Sequence, residues 1–277
     1  MSKTLSSVAV TEFDSMVKHA YQGVGKMRSA VTMRSGVVGD TYKFRKMGKG
    51  IANQKASQAD VTPMDVAHSL VTCTLENWNA PEYTDIFDQA EVNFDEKSEL
   101  ASVIANALGR REDQLVLDAL TAGTSTHTKL DQATAFDVDI IRGAGAAFDS
   151  VGMGMEGRFI VFNSVQKQQL LGDTTATSSD YANIKALVSG EIDSFYGFKF
   201  ILLDDRDEGG LAGGGTTDAT AWAFHKDAMG MAVGMDVKTE INYIAQKTSW
   251  LCNGLFKAGA VVRDGDGFIE LETNDTA

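Results

Sequence analysis

Residues 37–79 constrain this 277-residue chain more than any other stretch. Val38, Tyr42 and Phe44 alternate with Thr41, Lys43 and Arg45 as a strand requires, and Val71, Cys73 and Leu75 repeat that period within 69–76. Between the two runs, residues 47–62 are polar, glycine-bearing and free of aromatics, too poor in apolar surface to fold by themselves. The pattern predicts a long hairpin with a soft tip. A two-stranded ribbon is at best marginal alone in water, and structureless connections this long are uncommon inside a compact domain. Such a hairpin needs a surface to lie on, and a neighbouring chain offers one.

Charge points the same way. Residues 1–55 hold ten Lys or Arg against three acids, a net of +7, which leaves −20 for the rest of a chain whose total is −13. A basic arm on an acidic body suits contact between copies. Its cations are interrupted by apolar residues at helical and strand periods, not gathered into a nucleic-acid patch. No run approaches eighteen apolar residues, and residues 1–10 lack the basic start and apolar core of a signal peptide. Neither a membrane span nor a secretion signal is therefore expected. Cys73 and Cys252 have no metal-ligand spacing and read as buried, reduced thiols of a cytoplasmic product.

Periodicity places the remaining elements. Thr11 caps a helix whose apolar stripe is Phe13, Met16, Val17, Ala20, Tyr21, Val24, Met27 and Val31. A second, longest helix is predicted over about 95–122, with Asp95 or a near neighbour as cap, Gly123 at its exit and Gly109 as a weak point. From 135 onward the pattern mixes helix and strand. Asp137 caps a helix carrying Ile140, Ile141, Ala144 and Phe148; 158–162 is a buried strand; Asn163 or Ser164 caps a helix through Leu171. A polar loop follows at 172–182, then strands at 198–203 and 221–225 around the glycine-rich run 204–220. Strand-like alternation at 238–247, a strand at 259–263, a turn at 264–267 and a last strand through Thr273 close the chain.

Several strings imitate chemical sites and fail on order or spacing. Residues 152–157 spell GxGxxG, but the order is helix, glycines, strand, the reverse of a dinucleotide fold; a flexible helix exit is expected. Gly23–Lys26 lacks the spacing of a phosphate loop. Residues 264–267 suit a tight turn better than a calcium loop. His19, His68, His127 and His225 are scattered, with His225 read as a structural hydrogen-bonder, and Asp204, Asp205, Asp207 and Glu208 as a solvated loop. No catalytic residue, cofactor or metal is expected.

The order of elements resembles the major capsid protein of tailed double-stranded-DNA bacteriophages, over the chain from about Thr11 to the C-terminus. Three segments share that family's texture: 158–163 before a short helix, 189–200 leading into a strand, and 221–232 with its histidine and alternating Ala, Gly and Met. The resemblance implies an α+β fold divided into an N-terminal arm (1–34), an extended hairpin loop (35–80), a peripheral domain with the spine helix (81–134), an axial domain (135–236) and returning peripheral strands (237–277). It also implies a structural subunit of an icosahedral head, forming pentamers and hexamers around double-stranded DNA, located in the virion after assembly in the host cytoplasm. Intersubunit contact then falls to Phe13, Met16, Tyr21, Lys26, Arg28 and Arg34 on the arm, and to Tyr42, Lys43, Phe44, Arg45, Lys46, Lys49 and Lys55 on the loop. Partners are copies of the chain, a portal, packaged DNA held without sequence preference and a decoration protein. An arm of only about thirty residues implies a separate scaffolding protein or none, of which the separate protein is the expectation, and it speaks against self-cleavage. Some members join Lys to Asn across subunits; Lys46, Lys49 and Lys55 lie in the corresponding region, but nothing marks the matching Asn or Glu. The competing readings are a decoration or tail component of a phage, and a small-molecule enzyme, which would need a convergent polar site that no spacing supplies.

Overall fold

The structure, a computed structural model, describes residues 25–87, 96–131, 134–172, 194–203, 205–206, 208–211 and 219–276. In chain order its strands are β1 (Thr32–Ser35), β2 (Thr41–Met47), β3 (His68–Thr74), β4 (Glu76–Asp85), β5 (Leu130–Asp131), β6 (Arg158–Phe162), β7 (Ser194–Phe195), β8 (Phe198–Leu202), β9 (Ala219–His225), β10 (Met229–Ile244), β11 (Ser249–Val262) and β12 (Phe268–Thr273). Its helices are α1 (Glu96–Ala122), α2 (Val138–Ser150) and α3 (Ser164–Gly172). Among the described residues no helix is long and apolar enough to cross a membrane.

One sheet runs β1-β10-β11-β4, with β1 parallel to β10 and the other pairs antiparallel. The helix α1, about 40 Å long at 1.5 Å per residue, lies across it. Gly254 of β11 admits the helix: a Cβ there would stand 2.3 Å from Ile104 Cγ2. The second sheet is ordered β5-β12-β9-β6-β8-β7, and its central strands β12, β9 and β6 are buried on both faces. In β6, Phe159 and Val161 enter the core that α1 shares, while Ile160 and Phe162 enter the core of α2 and α3. This double burial explains the unbroken apolar run of 158–162, since a strand with one wet face would alternate.

The caps predicted for the two shorter helices are present. Asp137 accepts from the N–H groups of Asp139 and Ile140. Asn163 caps α3 reciprocally: its Oδ1 accepts from Gln166 N at 2.7 Å, and Gln166 Oε1 accepts from Asn163 N at 3.0 Å. The glycine string at 152–157 is a fastened turn, not a loose exit. Arg158, fully buried between Phe148 and Phe198, donates to Gly154 O, Met153 O and Asp149 Oδ1 at 2.6–2.9 Å.

The N-terminal part departs from expectation. Residues 1–24 lie outside the described residues, and with them the helix start at Thr11, but its predicted end is not helical. Met27–Ala30 is a 3-10 turn, Val31 is extended, and β1 follows. Two constraints force this. The chain crosses α1 at a glycine pair, where a Cβ on Gly25 would stand 2.6 Å from Gly109 O. Immediately after, Asp113 of α1 accepts from the backbone N–H groups of Lys26 and Met27 at 2.9–3.0 Å, so these donors are held from outside. Gly109, a weak point by propensity, is thus a crossing point by packing.

Other misses are strands. Pairing begins at Thr41, leaving Val38 almost fully exposed, and β4, the first half of β10 and most of β11 escaped the period rule. β4 contains Pro81, whose missing donor is tolerated because β4 is an edge among the described residues. In β10 the bulges between Val233 and Lys238 break the alternation. The hairpin base also needs no neighbour: Phe44, Cys73 and Leu75 pack within the chain against Ala232.

Burial raises the carboxyl pKa of Asp113 above its ordinary value, the Met27 and Lys26 N–H groups offsetting part of the rise. Such a group binds its proton more tightly folded than unfolded. Its contribution to stability therefore grows as pH falls from neutrality through the raised value, and levels off below the ordinary one. Replacing Asp113 by Ala orphans two backbone donors and should lower stability by about 2–3 kcal/mol, whereas Asp113→Asn should cost less and flatten this pH dependence. Urea unfolding of the three proteins between pH 4 and 8 reads both. Arg158→Met should cost about 2–4 kcal/mol by leaving the carbonyls of Met153 and Gly154 without their donor; thermal unfolding at matched pH checks it.

Candidate intersubunit surface

The hairpin is two structures in one. At its base, β2 and β3 pair from Thr41↔Thr74 to Met47↔His68, and the residues facing the body are Tyr42, Phe44 and Cys73. The rings of Tyr42 and Phe44 meet edge-on at 4.8 Å. Phe44 lies where a side chain on Gly230 would be, 2.9 Å from its ring, and the Arg263 guanidinium stands 5.2 Å from the ring centre. Thr74 O approaches Gly259 so closely that a Cβ there would stand at 1.9 Å. Two ion pairs brace this base: Lys257 with Asp40 and Lys46 with Asp264, at 2.6 and 2.7 Å. The hydrogen bond from Lys257 holds the Asp40 carboxyl below its ordinary pKa. Asp264 is also held below, because Lys46 and the Asp266 N–H outweigh its burial.

Beyond the bond from Gly48 N to Ala67 O the ladder stops. The tip is extended and exposed, with one turn at Ser57–Gln58, and it presents Ile51, Val61 and Met64 to solvent. Met47 and Leu70 are exposed on the adjoining strands. The tip is thus less polar in effect than its composition suggests.

The predicted contact residues separate into three groups. Phe13, Met16 and Tyr21 lie outside the described residues. Lys26, Arg28 and Lys46 are engaged within the chain: Lys26 Nζ donates to Leu202 O, and Arg28 makes a two-pronged pair with Asp236 at 2.9 Å and reaches Glu112 at 3.3 Å. Asp236 holds the Arg28 pKa up, and Arg28 in turn holds Asp236 down; burial raises Glu112, against the pull of Arg28. Arg34, Tyr42, Lys43, Phe44 and Arg45 come together on one side of the hairpin base, with Arg34 Nε donating to Tyr42 Oη at 3.2 Å. Lys49 and Lys55 stand exposed on the tip.

Sequence reasoning missed Arg263, which joins this group from 218 residues beyond Arg45 and carries no local signal. It also missed the exposed apolar residues at the far end of the first sheet, Tyr83, Phe87, Ile241 and Tyr243. The strings that imitate sites have structural occupations. His225 accepts from Asp227 N through Nδ1 and meets Glu156 O through Nε2, so its ring is used as a structural hydrogen-bonder. Asp264 caps the turn at Gly265–Gly267. Of the acidic run at 204–208, Glu208 pairs with Arg111 at 3.9 Å, and Asp204 and Asp207 lie outside the described residues. Among the described residues no three His, Cys, Asp or Glu side chains gather where they could hold a metal.

This architecture is that of phage heads. The capsid of the cyanophage P-SCSP1u superposes with a TM-score of 0.72 at 17% identity, covering 97% of this chain and 94% of that one. That of Mycobacterium phage Che8 gives 0.72 at 16%, covering 96% and 97%. The head of Helicobacter pylori bacteriophage KHP40 gives 0.77 at 13%, covering 95% of each. At such identities the likeness speaks for the fold alone. No curated protein sequence matches the chain. A sequence model of the family described as phage capsid protein matches residues 5–274, and the chain therefore belongs to the phage capsid protein family.

Proposed function

We propose that this capsid protein is the major subunit of an icosahedral head, its copies assembling into pentamers and hexamers around double-stranded DNA. The observation that carries the reading is the hairpin, whose base is fastened within the chain while its tip holds Ile51, Val61 and Met64 out in solvent. Apolar side chains presented on a projecting arm gain burial on another molecule, and a head-to-tail contact repeated about an axis closes into a ring. On this reading residues 1–34 are the arm, 35–80 the extended loop, 81–134 the peripheral domain with α1, 135–236 the axial domain and 237–277 the returning strands of the peripheral domain. Phe13, Met16 and Tyr21 of the arm meet neighbours, as do Arg34, Tyr42, Lys43, Arg45, Lys49 and Lys55 of the hairpin region, while Phe44, expected at the contact, is buried in the chain's own core and fixes the hairpin base. Lys26, Arg28 and Lys46 act one step behind, by fixing the arm and the hairpin base. The subunit works in the virion without a catalytic group or cofactor. It assembles in the host cytoplasm with a separate scaffolding protein, a portal and a decoration protein, and touches packaged DNA without sequence preference.

Purified protein in negative stain should show shells, tubes or capsomers; a monomer under all conditions of salt and crowding sinks the proposal. Limited proteolysis should cut residues 48–67 in free subunits and spare them in assembled particles, and equal cutting in both removes the tip from the contact.

A further inference from the structure

A cleft of about 720 Å³ opens beside the hairpin base, lined by residues 32–34 of β1, residues 42–45 of β2 and Arg263. Consecutive residues line it from both strands. A strand shows alternate residues to whatever lies on its face, so an unbroken run marks its edge. The topology agrees: β1 ends its sheet, and β2 pairs with β3 alone among the described residues. Two open strand edges thus border one cleft.

Its charge is one-sided. Arg34, Lys43, Arg45 and Arg263 line it with no carboxylate among them, and none of the four enters an ion pair among the described residues. Nearby cations behave otherwise, since Arg28, Lys46 and Lys257 are all paired. Arg263 Nε is buried without a hydrogen-bond acceptor. Gathered cations lacking counter-charge repel one another, and an anionic occupant removes that penalty.

We propose that the cleft receives the descending limb of the hairpin tip, residues 59–67, from a second copy of the chain. That limb carries Asp60 and Asp65 and no cation, exposes Val61 and Met64, and forms no strand in its own subunit. Seated between β1 and β2, it pairs its backbone with the open edges and sets its two carboxylates among the four cations. Pro63 withholds one donor and does not suit the inside of a strand paired on both sides, so the two-sided pairing runs over the residues flanking it. The reach is sufficient. From Thr41 to the turn at Ser57 the chain extends at most about 55 Å at about 3.3 Å per residue, and a compact body of this length is about 48 Å across. The tip of one copy therefore reaches the hairpin base of the next. Nucleic acid would answer the charge but has no strand to offer the two edges. The inference rests on the capsid reading and assigns the seat of the tip within it.

The test is a charge swap read by sedimentation and electron microscopy at physiological ionic strength. Arg34→Glu with Arg45→Glu, and separately Asp60→Lys with Asp65→Lys, should each lower the assembled fraction by about tenfold or more. The four changes combined should restore it. Circular dichroism should be unaltered, because these side chains are exposed and outside any ion pair among the described residues. As a second measurement, chains bearing Arg45→Cys are mixed with chains bearing Asp60→Cys, the native Cys73 and Cys252 being buried. Oxidation during assembly should yield a disulfide-linked pair of unlike chains. Wild-type assembly by the cleft reversal, or absence of both rescue and cross-link while the wild type assembles, overturns this inference alone. So does a cleft reversal that assembles normally but loses affinity for a short DNA duplex, which would make nucleic acid the occupant. A wild-type chain that never assembles overturns the capsid reading together with it.

Discussion

The anchoring of the N-terminal segment on α1 sets the rest of the arrangement. Asp113 lies in the middle of the helix, fully buried, and gives its carboxylate to backbone N–H groups of a distant segment instead of to a lysine or arginine of its own helix. Held there, the chain can turn through Met27–Ala30 and lay β1 along β10, which extends the first sheet to its end. The glycine pair Gly25 and Gly109 sets the distance of approach. Next along the helix, Glu112 takes Arg28, and Arg28 reaches on to Asp236 at the bulge of β10. One turn of one helix thereby registers the arm, the sheet and its bulge together.

Much of this fold was legible in the sequence because its signals are local. The caps Asp137 and Asn163, the helix α1 and the buried strand 158–162 depend on neighbours a few residues away. What escaped depends on partners far along the chain. Nothing between residues 24 and 31 announces that Asp113 will take up its N–H groups, so the helical stripe there was read at face value. Likewise β11 is interrupted by Asn253, Gly254, Lys257 and Gly259, which look like loop residues until α1 and the hairpin base are seen to need the room at the two glycines. The residues expected at the contact do not stand as one set: Lys46 and Arg28 are committed within the chain, and Arg263 joins the cleft beside the hairpin base from the far end of the chain.

The division of the hairpin into a fastened base and an open tip suits a subunit that has to meet many copies of itself. The base fixes the direction in which the arm leaves the body, through Phe44 against Gly230 and the two flanking ion pairs. The tip is left with groups that only another surface can satisfy. On the proposed reading, pre-setting the direction reduces the ordering cost of contact, and a tip without a ladder of its own can adapt to five-fold and six-fold neighbours.

The ladder's abrupt end at Gly48 and Ala67 also has a bearing on how such subunits diverge. Once those two residues are bonded, the chain between them is a closed loop, and lengthening a loop is inexpensive: each doubling adds only about 0.6 kcal/mol of closure entropy. Residues gained or lost at the tip leave the base, both sheets and α1 untouched. Reach is therefore a quantity that insertion and deletion can adjust in small steps, so a lineage can match the arm to a shell of different curvature without redesigning the body that carries it.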